Sequence, residues 1–105
     1  MDTFTALADP TRRRIIESLA LQETSFGALA ERFEMSRPAV SQHLKVLREA
    51  GIVVSRSAGQ RRIYRLTDSG LDEFDGWLQK VRSFWSQSLD RLEKVLDSHD
   101  ERQDR

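Results

Sequence analysis

Apolar residues recur at three- and four-residue spacing along most of the chain, and the breaks in that rhythm mark out its elements. Phe4 and Leu7 share one face of a short helix over residues 2–8. Asp9 then offers an N-cap oxygen, and Pro10 suits the first helical position of a second helix. That helix carries its apolar stripe at Ile15, Ile16, Leu19 and Ala20. A third helix is predicted over residues 25–33, capped by Ser25, with Phe26, Leu29, Ala30 and Phe33 on its buried side. After a break at Glu34-Met35-Ser36, Ser36 caps a fourth helix, with Pro38 near its start and Gly51 just past its end. Val40, Leu44 and Leu47 line one face of it. At about 100° per residue the opposite face carries Pro38, Ser41, Gln42, Lys45 and Glu49.

Beyond Gly51 the period changes. Ile52, Val53 and Val54 favour strand, as do Ile63, Tyr64 and Leu66, and Ser57-Ala58-Gly59-Gln60 between them reads as a turn. The result is a β-hairpin with Arg56, Arg61, Arg62 and Arg65 on its arms. Thr67 or Ser69 then starts a last helix that reaches to about Leu96. Its apolar residues are Leu71, Phe74, Leu78, Val81, Trp85, Leu92 and Val95, and Trp77, Phe84, Leu89 and Leu96 broaden the stripe. A face this wide exceeds what so small a domain can cover, and it predicts a partner helix. The fold class is therefore mainly α with a small β-hairpin, in the order α-α-α-α-β-β-α. Residues 1–96 form one domain. Residues 97–105, with no apolar member, are expected to be a disordered polar tail.

Composition narrows the chemistry. At 105 residues there is room for one small core. Without cysteine there is no disulfide, thiolate nucleophile or Cys-based metal site, and His43 and His99 alone cannot complete a four-ligand zinc site. No cofactor is expected. No window approaches a membrane span, and the start of the chain lacks a signal-peptide pattern, so a cytoplasmic setting without membrane partners is expected.

The zero net charge conceals a division. Residues 1–65 hold eleven Lys/Arg against seven Asp/Glu, and residues 66–105 hold six against ten. Between residues 37 and 65 a single acid, Glu49, faces seven basic side chains. Such asymmetry points to nucleic-acid contact by one part of the chain.

The third and fourth helices with their short turn have the order of a helix-turn-helix, whose second helix enters the major groove. Ser36, Arg37, Pro38, Ser41, Gln42, His43 and Lys45 are the candidate DNA contacts on that helix. Ser41 can bond to base or phosphate, Gln42 can pair with adenine, and Arg37 and Lys45 can reach guanine or phosphate. His43 flanks the core stripe and reads as a packing or phosphate-contact residue rather than a base reader. Arg56, Arg61 and Arg62 belong to a wing lying over the DNA backbone or minor groove. Arg12, Arg13 and Arg14 read equally as flanking phosphate contacts or as solvated charges.

The segment from Leu29 to Leu66, centred on Met35-Ser36-Arg37-Pro38-Ala39-Val40-Ser41-Gln42-His43-Leu44-Lys45-Val46-Leu47, resembles the ArsR/SmtB family of winged-helix repressors. Ala6-Leu7-Ala8-Asp9-Pro10-Thr11-Arg12-Arg13 and Leu47-Arg48-Glu49-Ala50-Gly51-Ile52-Val53 match the family as well. The resemblance implies a repressor that binds an operator of inverted half-sites as a homodimer. Its dimer contact would involve the first and last helices, through Phe4, Leu7, Leu71, Phe74, Leu78, Val81, Trp85, Leu89 and Leu92. Metal-sensing members carry a Cys-x-Cys pair where this chain has Ser25 and Gly27, and others carry ligands on the last helix, which here has no histidine before His99. The resemblance is thus to a metal-independent branch, with the identity of any small-molecule effector open. Trp77, Phe84 and Trp85 read as dimer core rather than a ligand pocket. The principal alternative is a winged-helix module that binds another protein and not DNA; RNA binding is disfavoured by the lack of aromatic stacking residues in the basic segment. No enzyme constellation is present.

Overall fold

The computed structural model describes residues 1–103, with side chains through residue 98. Its elements are α1 (Thr3–Leu7), α2 (Pro10–Leu21), β1 (Thr24–Ser25), α3 (Phe26–Glu31), α4 (Arg37–Glu49), β2 (Val53–Ala58), β3 (Arg61–Leu66) and α5 (Asp72–Gln103). Residues 1–73 form one compact unit, and the helix from Phe74 onward forms another.

Each helix of the first unit begins where a short oxygen-bearing side chain accepts an otherwise unpaired N–H. Asp2 accepts from Thr5, Asp9 from Thr11 and Arg12, Ser25 from Ala28, and Ser36 from Ala39. The end of α4 is equally local in origin. Gly51 takes φ +76°, its N–H donates to the Arg48 carbonyl, and the Ile52 N–H donates to the Leu47 carbonyl at 2.9 Å. This is a Schellman ending, and both apolar partners it brings together, Leu47 and Ile52, are buried.

Three strands follow the order β1-β3-β2, all antiparallel. β2 and β3 pair from Val53↔Leu66 to Ala58↔Arg61, which leaves Gly59 and Gln60 as a two-residue turn. Positive φ at Gly59 and not at Gln60 is the sign pattern of a type II′ hairpin turn. The turn is shorter than expected, since Ser57 and Ala58 belong to the strand. β1 was absent from the expected order. Thr24 pairs with Tyr64 and Ser25 with Ile63, so the hairpin is the larger part of a three-stranded sheet. Two residues are too few to show a period of two, and only the partner strand defines them.

The core of this unit joins α2, α3, α4 and the base of the hairpin. Ile15, Leu29, Val40, Leu44, Leu47, Ile52 and Val53 are its largest fully buried side chains. Each stabilises the fold by about 1.5–3 kcal/mol relative to exposure. Tyr64 is buried with them, as a packing residue of the hairpin. Ala20 is exposed, so the α2 stripe is narrower than its spacing suggests. Phe33 lies beyond the end of α3, in the connection to α4, and packs against the core from there.

The last helix starts later than expected. Thr67 does not cap it. Its hydroxyl instead donates to the Gly51 and Ile52 carbonyls, and its N–H donates to Ile52, which ties the base of the wing to the end of α4. The backbone of α5 is helical to Gln103, through most of the segment expected to be a tail. Residues 104–105, and the side chains from His99 on, lie outside the described residues.

Candidate nucleic-acid interface

On α4 the exposed and buried positions divide cleanly. Val40, Leu44, Val46 and Leu47 are buried, while Arg37, Arg48, Ser41, Lys45, Pro38, Glu49 and Gln42 are exposed and follow one another around about 140° of the helix. One edge of that arc, formed by Arg37, Ser41 and Arg48, faces the tip of the wing. Together with Gln60, Arg61 and Arg62 and the start of α3, these residues line an open groove of about 850 Å³. Glu31 is the single acid in its lining, against four arginines. The side chains of Arg37, Arg48 and Arg61 have no hydrogen bond or ion pair among the described residues, so their charge is available to an anion. Arg62 donates to Ser55 across the hairpin at 2.8 Å.

The expected contacts therefore separate into groups. Arg37, Ser41, Arg61 and Arg62 converge on the groove. Pro38, Gln42 and Lys45 occupy the adjoining part of the exposed arc. Ser36 sits at the start of the helix, where its hydroxyl oxygen accepts the Ala39 N–H at 3.2 Å. His43 points elsewhere: it is half-buried, and its Nδ1 lies 3.4 Å from Arg12 Nη1. Arg56 is held by Glu23 in a bidentate ion pair at 2.7 and 2.8 Å, with both partners about half exposed.

Two groove residues were not singled out from the sequence. Arg48 follows Arg37 by eleven residues and Ser41 by seven, which returns it to the same helical stripe; that spacing was the available signal. Gln60 had none beyond its place in the turn. Two of the three arginines of α2, Arg12 and Arg13, also have specific partners. Arg12 donates to the Ala6 and Thr5 carbonyls at 2.7 and 3.1 Å, and Arg13 donates to the Leu7 carbonyl at 2.6 Å. Cations badly placed for the dipole of α2 thus cover the C-terminal carbonyls of α1, where positive charge is favourable. Burial raises the affinity of Asp9 for its proton, but the N–H groups of Arg12 and Thr11, and then the positive charge nearby, outweigh it and hold the carboxyl below its ordinary range.

The α5 helix has its own surface. Phe74, Leu78 and Val81 are half-buried. Trp77, Phe84, Trp85, Leu89, Leu92, Val95 and Leu96 are exposed, Trp85 at 58% and Leu92 at 54%. Phe84 and Trp85 meet edge to face with centroids 6.2 Å apart. On α1, Phe4 is 37% exposed and Leu7 packs against the core. Among the described residues no helix is long and apolar enough to cross a membrane, and no group of three His, Asp or Glu side chains is placed to hold a metal ion.

A helix presented by a helix-turn-helix, with a polar exposed arc and a basic hairpin beside it, defines a winged-helix DNA-binding protein. Comparison with known proteins gives the family. A profile described as "Bacterial regulatory protein, arsR family" matches residues 9–55. The chain is 46% identical over 93 residues to the HTH-type transcriptional regulator Rv2034 of Mycobacterium tuberculosis, covering 89% of this chain and 84% of that one. It is 34% identical over 77 residues to the transcriptional repressor SdpR of Bacillus subtilis, covering 73% and 86%. A crystal structure described as a possible transcriptional regulator for arsenical resistance superposes with TM-score 0.73 at 43% identity, over 88% of this chain and 93% of that one. The chain belongs to the ArsR family of DNA-binding transcriptional regulators, not to an enzyme family.

Proposed function

We propose that the chain is a cytoplasmic repressor that binds an operator of inverted half-sites as a homodimer, without a metal cofactor. The observation that carries this reading is the arginine-lined groove between α4 and the wing, continuous with a polar helical arc. An α-helix fits the major groove of B-DNA. In this reading Arg37, Ser41 and Gln42 meet base edges, and Ser36, Pro38 and Lys45 lie along the rim of the groove. Arg48, Arg61 and Arg62 contact phosphates. Repression is carried over from the Bacillus subtilis relative, which is a transcriptional repressor.

The exposed apolar face of α5 supports the dimer, since a stripe of seven large exposed side chains on one helix is costly to leave in water. Metal independence is supported by Ser25 and Gly27, which stand where the family resemblance puts thiolates in metal-sensing members. The Ser25 oxygen is moreover engaged as the cap of α3.

The test is selection of bound duplexes from a random pool, followed by salt titration on the recovered sequence and a scrambled one. A palindrome with half-sites about one helical turn apart is expected. Gln42→Ala should lose about 1–3 kcal/mol on the recovered site and little on scrambled DNA. Replacing Arg48 and Arg61 by Ala should weaken both and flatten the salt slope by about one to two units per subunit. Full affinity and slope in the arginine variant, with unchanged preference in Gln42→Ala, would transfer support to the protein-interaction reading.

A further inference from the structure

Arg12 touches two elements at once. Its Nε and Nη2 donate to the Ala6 and Thr5 carbonyls at 2.7 and 3.1 Å, so the guanidinium closes over the end of α1. Its Nη1 lies 3.4 Å from Nδ1 of His43, thirty-one residues further on and within α4. Arginine has no acceptor, so Nη1–H donates and the unprotonated Nδ1 accepts.

We propose that Arg12 is a positioning residue for DNA recognition: anchored on the end of α1, it fixes the rotation of α4 through His43 and thereby sets where Arg37, Ser41 and Gln42 meet the bases. The inference rests on the operator reading given above and takes His43 off the DNA face. Apolar packing alone is non-directional. Val40, Leu44 and Leu47 hold α4 against the core, but their contacts alone do not single out one direction for its polar face. Recognition needs side chains held to within about 10–20° of their working geometry. A directional hydrogen bond on the flank of the helix supplies that restraint. His43 is placed for it, since it follows Gln42 directly and lies about 100° around the helix from it. Arg12 is suited to the other end, because its planar fork holds two carbonyls of α1 and still presents a third nitrogen to the imidazole.

The experiment compares the unmutated chain with Arg12→Gln, His43→Phe, the double variant and His43→Asn. Affinities are measured on the selected duplex and on a scrambled duplex across a salt series, and thermal melting checks each fold. Arg12→Gln and His43→Phe are each expected to lose about tenfold on the selected duplex, with scrambled-DNA affinity and salt slope unchanged, and the double variant should lose no more than the worse single one, as for partners in one contact. His43→Asn keeps an acceptor near the place of Nδ1 and should stay within about threefold of the unmutated chain. If Arg12→Gln does not fold, Arg12→Lys replaces it with the same expectations, since an ammonium cannot span α1 and His43 together.

A salt slope reduced by about one unit, with loss on both duplexes, would make Arg12 a phosphate contact and overturn the proposal. So would unchanged affinity in folded variants, or additive losses with His43→Asn as weak as His43→Phe. If the unmutated chain selects no sequence at all, the operator reading itself fails, a result distinct from these, and the inference falls with it.

Discussion

Glu23 and Arg56 form a two-pronged ion pair that ties β2, an outer strand of the wing, to the residue just before β1. The partners are thirty-three residues apart and approach from opposite edges of the sheet, with β3 between their strands. The hydrogen bond from Arg56, and then the charges of Arg56 and Arg65, hold the Glu23 carboxyl below its ordinary range despite some desolvation. In the proposed operator complex Glu23 would thus compete with phosphate for a wing arginine. Glu23→Gln should release Arg56, raise affinity for scrambled duplex and steepen the salt slope by about one unit per subunit. Melting should change little, because exposed ion pairs contribute little to stability. An unchanged slope would mean that Arg56 does not reach a phosphate even when free.

Asp9 caps α2 by accepting from the Thr11 and Arg12 N–H groups. Its folded pKa lies below its ordinary value of 3.8, so its contribution is present above that value and is lost as pH falls through the lower folded value. Asp9→Ala should cost about 0.5–2 kcal/mol near neutrality. The stabilities of the two proteins, measured by denaturant titration at a series of pH values, should converge in acid. A constant gap at every pH would refute the electrostatic part of this account.

Gly70 is required by space. A Cβ there would lie 2.7 Å from the Ile52 Cα and 2.8 Å from the Gly51 carbonyl oxygen, both backbone atoms, and would also meet the Thr67 hydroxyl. Backbone cannot swing aside as a flexible side chain can. Gly70→Ala should therefore destabilise by about 1–3 kcal/mol, as overpacking does, while Gly76→Ala, which meets nothing, should not. Equal melting of the two variants would show that the segment after the wing adjusts freely.

Leu92 is exposed among the apolar residues of α5. If this face is the dimer seam, Leu92→Asp should shift sedimentation from dimer to monomer at micromolar concentration, since an unpaired charge in an apolar seam costs several kcal/mol. A well-folded monomer for the unmutated chain would remove the seam from the proposal.

Zinc, cadmium, copper or arsenite should leave operator affinity unchanged, because the soft thiolate and imidazole donors these species prefer are missing from the expected positions. A tenfold or greater change, on the order of 1.4 kcal/mol, at stoichiometric metal would disclose an oxygen-rich site.

The caps at Asp9, Ser25 and Ser36, the Gly51 ending and the polar arc of α4 could be read directly from residues 9–51, because each depends on side chains within a few positions of the backbone they serve. The hairpin was readable for the same reason, from its β-branched arms and its glycine turn. The partnerships of the charged residues were not. Arg12, Arg56 and Arg48 look alike as isolated cations, yet one closes the end of α1, one is neutralised by Glu23 and one lines the open groove. β1 was hidden for a related reason, since Thr24 and Ser25 become a strand only when β3 lies beside them. Local patterns record what a residue can do within a turn of its own backbone. Which cations remain free for DNA depends on groups brought together from other elements, six residues away for Arg12 and Ala6 and thirty-three for Arg56 and Glu23, and only the folded chain makes those choices.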